Sequence, residues 1–424
     1  MATPSDWVFV WTWLPDAVDP VPAGAVRWNG DLAEFAYSDQ YLARSDRRPL
    51  APELPIAEGW IEPHEGLTLA GCLRDALPDQ WGQGVLRTER PDEYADANED
   101  RTDMLLSGSD RFGAIDFQAS DQVYAPRLGS ATLDELHQAA ELLEAGEQLS
   151  PVLGAALLHG TSIGGARPKA LLHDGSGRSL IAKFSSTSDR GLPVVNAEAA
   201  CLDLARRAGI TAPASEVTKS LGKDVLLVER FDRDRHGHRF HTVSALTLLG
   251  LDPIAGRWAT YPDLYDRLVD AGASPETGAE LFDRIVFNVA ISNSDDHARN
   301  HAAFWDGRTL GLTPAYDLAP GHRSGDTAKQ ALAIGREGQR DSNFVTCMDA
   351  ASVYGLSRRE ASDSIDRITT VIRECWDEAA DRARLTRAQR DRLLGRQILN
   401  PAASYGYEPR VIPAPSTGWA WRAL

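Results

Sequence analysis

Apolar positions alternate near the start of the chain and then take on helical spacing. Trp7–Trp13 and Ala25–Trp28 read as strands, and Phe35 to Leu42 as a further one. Leu67–Arg87 carries helical spacing that breaks at Pro78, where the missing amide interrupts the ladder. The acidic run Asp92–Asp103 reads as a solvated connection or a helix start. Met104–Leu106, Gly108 and Phe112–Phe117 predict a turn entering a strand. Leu133, Leu136, Ala140 and Leu143 then recur on one helical face, with Asp134, Glu135 and Glu141 opposite and Gly146 as the stop.

A second region has strand character. Lys169–Leu172, the turn Asp174-Gly175-Ser176-Gly177 and Ser179–Phe184 predict a hairpin. Asn196 to Ala208 is a helix closed by Gly209, and Asp224–Arg230 is another strand. From Thr242 onward the pattern is helical, with amphipathic stretches at Gly278–Ile291, Leu356–Trp376 and Thr386–Leu399. The tail from Asn400 reads as extended or frayed. The prediction is an α+β, bilobal chain: an α/β module over 1–125, a small β-rich lobe over 126–240 and a helical lobe over 241–424.

Composition narrows the function. With 424 residues, 43% hydrophobic and 25% charged, the chain has ample material for more than one core. A net charge of −17 argues against nucleic-acid binding driven by a basic face. The four cysteines are far apart, with no Cys-x-x-Cys pair, which fits a reducing compartment and offers neither a disulfide framework nor a zinc site. No signal-peptide pattern or membrane-length apolar run is seen, so the expectation is a cytoplasmic protein without membrane contact. Lysine stands at only five positions against a large excess of arginine. A lysine kept in such a chain marks a place where a guanidinium does not serve, and Lys183, at the end of a strand, is the best candidate.

The chemistry concentrates in Ser292-Asn293-Ser294-Asp295-Asp296-His297-Ala298-Arg299-Asn300 and, further on, Thr313-Pro314-Ala315-Tyr316-Asp317-Leu318. Phosphoryl transfer needs a carboxylate to orient the acceptor hydroxyl, then an amide oxygen and a second carboxylate to hold Mg²⁺. Asp295, Asn300 and Asp317 supply that set at kinase spacing. His297 is expected to be buried and to shape the loop. His297 and His301 share a spacing that could hold zinc, but the zincin glutamate is missing, since Ala298 follows His297. Gly164 and Gly165 would let a backbone loop approach a phosphate, although Walker A spacing is absent. Lys183 would contact phosphate, with Glu198 as its ion-pair partner. Backbone groups near Glu229 and Phe231 could hold adenine at a hinge.

Together these residues resemble the HipA family of toxin kinases. Ser162–Lys169 is similar to the family's Ser-x-Gly-Gly-Ala-Arg-Pro-Lys loop, and Glu229–Arg233 to its Glu-Arg-Phe-Asp-Arg hinge. Asp295–Asn300 resembles its Asp-x-His-x-Lys-Asn catalytic loop, with Arg299 in the place of the usual lysine, and Pro314–Leu318 its metal segment. Leu77-Pro78-Asp79-Gln80-Trp81-Gly82 and Gly113-Ala114 resemble its N-terminal subdomain. The resemblance implies a protein-kinase-like fold and a serine/threonine kinase using ATP and Mg²⁺. It implies Asp295 as the catalytic residue, Asn300 and Asp317 as metal ligands, and Lys183, Lys169, Gly164, Gly165, Ala166, Glu229, Phe231 and His297 about the nucleotide. It further implies autophosphorylation at Ser162, an aminoacyl-tRNA synthetase as substrate, and a small helix-turn-helix antitoxin through which alone the protein would meet DNA.

Three rival readings compete. A serine hydrolase could use Gly160-x-Ser162-x-Gly164 with Asp295 and His322, but a nucleophile elbow needs a helix after the serine, and here Pro168 and a strand follow. A silent binding module would not need Asp295, Asn300, Asp317 and Lys183 together. A kinase of the same fold acting on another protein or a metabolite is the runner-up.

Overall fold

The computed structural model describes residues 7–95, 98–129, 131–150, 152–154, 157, 167–186, 189, 192–321, 325 and 327–409. Four antiparallel strands open the chain: β1 (Val8–Thr12), β2 (Val21–Asn29), β3 (Leu32–Tyr37) and β4 (Ile115–Gln118), in the order β3-β2-β1-β4. The predicted Phe35–Leu42 strand stops at Tyr37. Ser38 accepts the Tyr41 amide at 3.1 Å and starts a short helix, Asp39–Leu42, because a serine hydroxyl satisfies a helix-start amide better than the strand ladder would. Pro78 separates the helices Gly71–Asp75 and Gln80–Glu89, as its position predicts. Met104–Leu106 belong to the helix Glu99–Leu106, capped by Asn98, and not to the expected turn.

A second antiparallel sheet, β5-β6-β8-β7, is built from Lys169–His173, Ser179–Lys183, Lys223–Glu229 and Ser215–Ser220, respectively. Two helices lie on it. Leu133–Glu144 carries a capping box between Thr132 and Glu135 and buries Leu136 and Ala140 against Ala182 and Phe184. Val194–Arg207 packs on the opposite side and contacts the long helix Arg358–Arg382.

The C-terminal part is mostly helical, with Thr277–Ala290 and Arg358–Arg382 at its centre, all within one large apolar core. A three-stranded sheet also lies here: β9 (Thr242–Ser244), β10 (Ala302–Trp305) and β11 (Leu310–Leu312). Strands of three or four residues are too short to display a two-residue period, so the helical expectation after Thr242 misses them. The expected helix Thr386–Leu399 spans only Arg387–Leu393, because the chain reverses at Gly395, whose φ of 77° favours glycine.

Charge joins the first sheet to the second. Arg230 donates to Asp232 at 2.9 and 2.7 Å and to Asp110 at 3.1 Å, while Arg233 pairs with Asp110 and, at 3.1 Å, with Asp232. Gly113 donates its amide to Asp232 at 2.8 Å, and a Cβ there would meet the Thr242 hydroxyl at 2.7 Å. All four charged side chains are buried. A second joint is neutral. Thr12 donates its hydroxyl to the Ala114 carbonyl and stands 2.9 Å from His241 Nε2, which therefore carries the proton. Burial pushes the His241 pKa down from 6.5 to about 4.

Asp232→Ala would leave two buried guanidinium groups short of an acceptor, and we expect a loss of about 3–5 kcal/mol in equilibrium denaturation. At His241 the unfolded chain binds a proton that the folded site refuses. Stability is therefore complete above pH 6.5 and falls toward about pH 4. In His241→Gln that part of the stability–pH curve should be flatter than in the wild type.

Candidate active site

The register of the β5–β6 hairpin sets Lys169 directly across from Lys183. Phe184 donates to the Pro168 carbonyl at 3.0 Å, so the lysines occupy the neighbouring non-hydrogen-bonded pair, where side chains stand closest. Like charges facing each other across strands are destabilising, so carboxylates must be near. Lys183 donates to Glu198 at 2.6 Å and also pairs with Asp317. Lys169 pairs with Asp79 at 3.5 Å.

These contacts set the protonation of the group. Burial alone would lower Lys183, and Asp317 and Glu198 together overcome it and raise its pKa. Burial would likewise raise Asp317, but the ammonium of Lys183, then that of Lys169, holds its carboxyl at about 2. Glu198 moves the other way: burial, reinforced by the Asp317 charge, outweighs Lys183 and raises it. Asp317 stays a carboxylate with a side chain 43% exposed, a state suited to binding a cation.

The acidic loop leaves the helix Thr277–Ala290 through a Schellman turn. Asn293 donates its amide to the Asn288 carbonyl at 2.8 Å and Ser292 to Val289 at 3.2 Å, with Ser292 at φ 54°. Asp296, not Asp295, then turns inward. Its Oδ2 receives the Tyr261 hydroxyl, the Asn288 amide at 2.7 Å and His301 Nε2 at 2.8 Å. With Asp296 anchored, Asp295 is exposed on the opposite side of the loop. Asn300 donates to the Asp295 carbonyl at 3.4 Å, closing the turn between them. Asn293 reaches the Asp317 carbonyl at 3.2 Å, and Tyr316 donates to the Arg299 carbonyl at 2.7 Å, so the acidic loop and the Pro314–Leu318 segment are tied together. Asp317 has a φ of 56°, a left-handed backbone uncommon outside glycine, asparagine and aspartate. Gly321 donates to the Ser292 carbonyl at 3.0 Å, where a Cβ would come equally close.

Lys169, Lys183, Asp295, Asn300 and Asp317 line one cavity of about 460 Å³ between the second sheet and the helical part. Hard oxygen ligands face ammonium groups across it, the chemistry of a site for a polyphosphate and a divalent cation. Arg167, Asp189 and Arg392 also line it, as do Glu198 and Asn293. The sequence reading singled out neither Asn293 nor Arg392.

Other predicted residues lie elsewhere. His297, expected to be buried, is exposed and outside the cavity lining, and the buried, loop-shaping role falls to His301 instead. Glu229 and Phe231 do not line the cavity either. The Glu229 amide donates to Ala214 at 2.8 Å, which leaves its carbonyl as the group able to meet a base. Phe231 packs among Phe112, Phe304 and Tyr316. Ser162, Gly164, Gly165, Ala166 and His322 lie outside the described residues. Asp296 was missed because adjacent aspartates are indistinguishable in a sequence. The His301 five positions on, one residue past Asn300, was the available signal.

Residues 161–376 match the HipA-like C-terminal domain, and residues 17–118 the HipA N-terminal domain. Over 387 residues the chain is 27% identical to the protein named Putative kinase Y4mE of Sinorhizobium fredii (strain NBRC 101917 / NGR234), across 83% of this chain and 89% of that protein. Putative kinase Y4dM of the same organism is 29% identical over 167 residues, 34% of this chain and 38% of that protein. Among solved structures, a chain of the Shewanella oneidensis MR-1 toxin–antitoxin complex of HipA, HipB and operator DNA superposes with a TM-score of 0.63. The two are 19% identical, and the superposition covers 93% of this chain and 99% of that one. At that identity the likeness establishes the fold.

Asp296→Ala would leave three buried donors without an acceptor. We expect a loss of about 2–5 kcal/mol in denaturation. Asp296→Asn, which keeps one acceptor oxygen, should lose less.

Proposed function

The chain belongs to the HipA family, and from that premise we propose that it is an ATP- and Mg²⁺-dependent serine/threonine-protein kinase acting as the toxin of a toxin–antitoxin pair. The observation carrying this reading is the single cavity in which Lys183, held by Glu198 and Asp317, faces Asp295 and Asn300.

Each residue has a part. Lys183 would receive the phosphates, and Glu198 keeps its ammonium pointed into the cavity. Asn300 and Asp317 offer an amide oxygen and a deprotonated carboxylate, a donor set that fits Mg²⁺, which usually takes one or two carboxylates and completes its shell with phosphate and water oxygens. When bound there, the ion would supply positive charge to offset the negative charge developing on the phosphates. Asp295, fixed from behind by the Asp296 anchor, would orient the acceptor hydroxyl and take its proton. Lys169 would bind phosphate beside Lys183. The Glu229 carbonyl and Phe231 amide would hold the base, with His297 at the cavity's edge.

Ser162, on the segment leading to β5, is the proposed autophosphorylation site, with Gly164, Gly165 and Ala166 as the backbone that meets the nucleotide. The proposed partners are a small HipB-like helix-turn-helix antitoxin, as in the Shewanella complex, and an aminoacyl-tRNA synthetase as substrate. No helix among the described residues is long and apolar enough to cross a membrane.

Intact-mass analysis after incubation with ATP and Mg²⁺ tests the reading. The wild type should gain one phosphate, mapped to Ser162. Asp295→Asn, isosteric but without the carboxylate, should gain none while keeping its thermal melting profile. Undiminished transfer in Asp295→Asn would remove the mechanism.

A further inference from the structure

Lys169 belongs to the second sheet, yet the carboxylate that reaches it belongs to the N-terminal module. Asp79 sits in the turn Leu77–Gly82, ninety positions earlier in the chain. Its two oxygens are divided: Oδ1 accepts the Gly82 amide at 3.2 Å and starts the helix Gln80–Glu89, while Oδ2 faces the Lys169 ammonium at 3.5 Å. The first contact keeps the carboxylate from turning away from the second.

Packing supports this placement. Trp81, two residues on, lies against the apolar cluster in which Ala170, Leu180, Ala182 and Phe184 of the same β5–β6 hairpin meet Leu136 of the helix Leu133–Glu144. The turn bearing Asp79 is thus seated on the strands it serves. Both side chains of the pair are nearly buried, at 9% and 6% exposure. Burial works against the charged form of each, raising Asp79 and lowering Lys169. A buried pair under that penalty is weak evidence for stability and calls for another account. Glu198 and Asp317 lie within ion-pair reach of Lys183.

We propose that Asp79 is a positioning residue of the nucleotide site, through which the N-terminal module holds the Lys169 ammonium against the cavity where phosphate binds. The proposal rests on the nucleotide-binding reading above. It makes the module part of the ATP site rather than an appendage to it.

The test uses the full chain. Asp79→Asn keeps an oxygen for the Gly82 amide, so the helix start survives while the charge is lost. We expect the ATP–Mg²⁺ dissociation constant to rise on the order of tenfold, the loss of one charge-assisted contact, with adenosine binding unchanged; the melting temperature should fall, because a buried ammonium loses its carboxylate, so both affinities are read below the variant's own transition. Asp79→Glu should recover part of the affinity. In a Lys169→Met background, Asp79→Asn should add nothing, because the two residues act as one unit. Unchanged ATP affinity in Asp79→Asn would overturn the proposal, leaving Asp79 as a helix cap only. Equal losses for ATP and adenosine would overturn it as well, showing a general distortion. A wild type that binds no ATP would refute the nucleotide reading itself and this inference with it.

Discussion

Arg230 and Arg233 follow the end of β8 and turn toward the N-terminal module, where Asp110 receives them, while Asp232 on their own segment pairs with both. Two guanidinium groups and two carboxylates balance in charge. The backbone completes the cluster: Arg230 also donates to the Arg111 carbonyl at 2.7 Å, and Gly113 supplies its amide to Asp232. Desolvating four charges is expensive, so the cluster adds little net stability over an apolar joint of the same shape. Its consequence is specificity. Each group is satisfied only when β8, the segment Asp110–Gly113 and the turn after Glu229 meet in one arrangement, which fixes the first sheet relative to the second. Arg111 extends the same logic inward, with Asp116 at 2.7 Å and the carbonyls of Ala76 and Met104.

The cavity shows the complementary situation, in which charge is left incompletely resolved. A register that faces Lys169 with Lys183 is unfavourable unless anions intervene, and the anions present must be shared. Lys183 is shared between Glu198 and Asp317, and the pKa values of the two carboxylates are driven apart. Groups pushed apart in this way are a mark of functional sites. An incoming polyphosphate would relieve the repulsion between the lysines, and a divalent cation would relieve that between the carboxylates.

How much of this could be read in the sequence follows from the range of each interaction. Asp295, Asn300 and Asp317 were legible because their spacing is local and the chemistry dictates it. The helix Leu133–Glu144 was legible too, since Thr132, Glu135 and the leucine spacing all lie within a few turns. The strands β9, β10 and β11 were not, being only three or four residues long, with β9 paired to β10 across nearly sixty residues of intervening chain. The buried role expected of His297 falls to His301 for a similar reason. Both fit a polar loop, and only the inward turn of Asp296, set by Asn288 on the helix before the loop and by Tyr261 on an earlier one, decides which ring is buried.

Asp79 lies at the far end of that scale. In the sequence it is one residue of a short turn motif, readable as a helix cap and nothing more. Its second contact appears only once Trp81 has seated the turn against the β5–β6 hairpin. The module therefore meets the second sheet at two charged places, the Arg230–Asp232 cluster at one end of β8 and Lys169 at the start of β5. A body attached at a single point can pivot; one attached at both the hinge and the cavity wall cannot do so without breaking a buried ion pair. The geometry of the cavity is thus set jointly by the module and the two lobes, and a substitution on the module side can reach the site with no contact to a nucleotide.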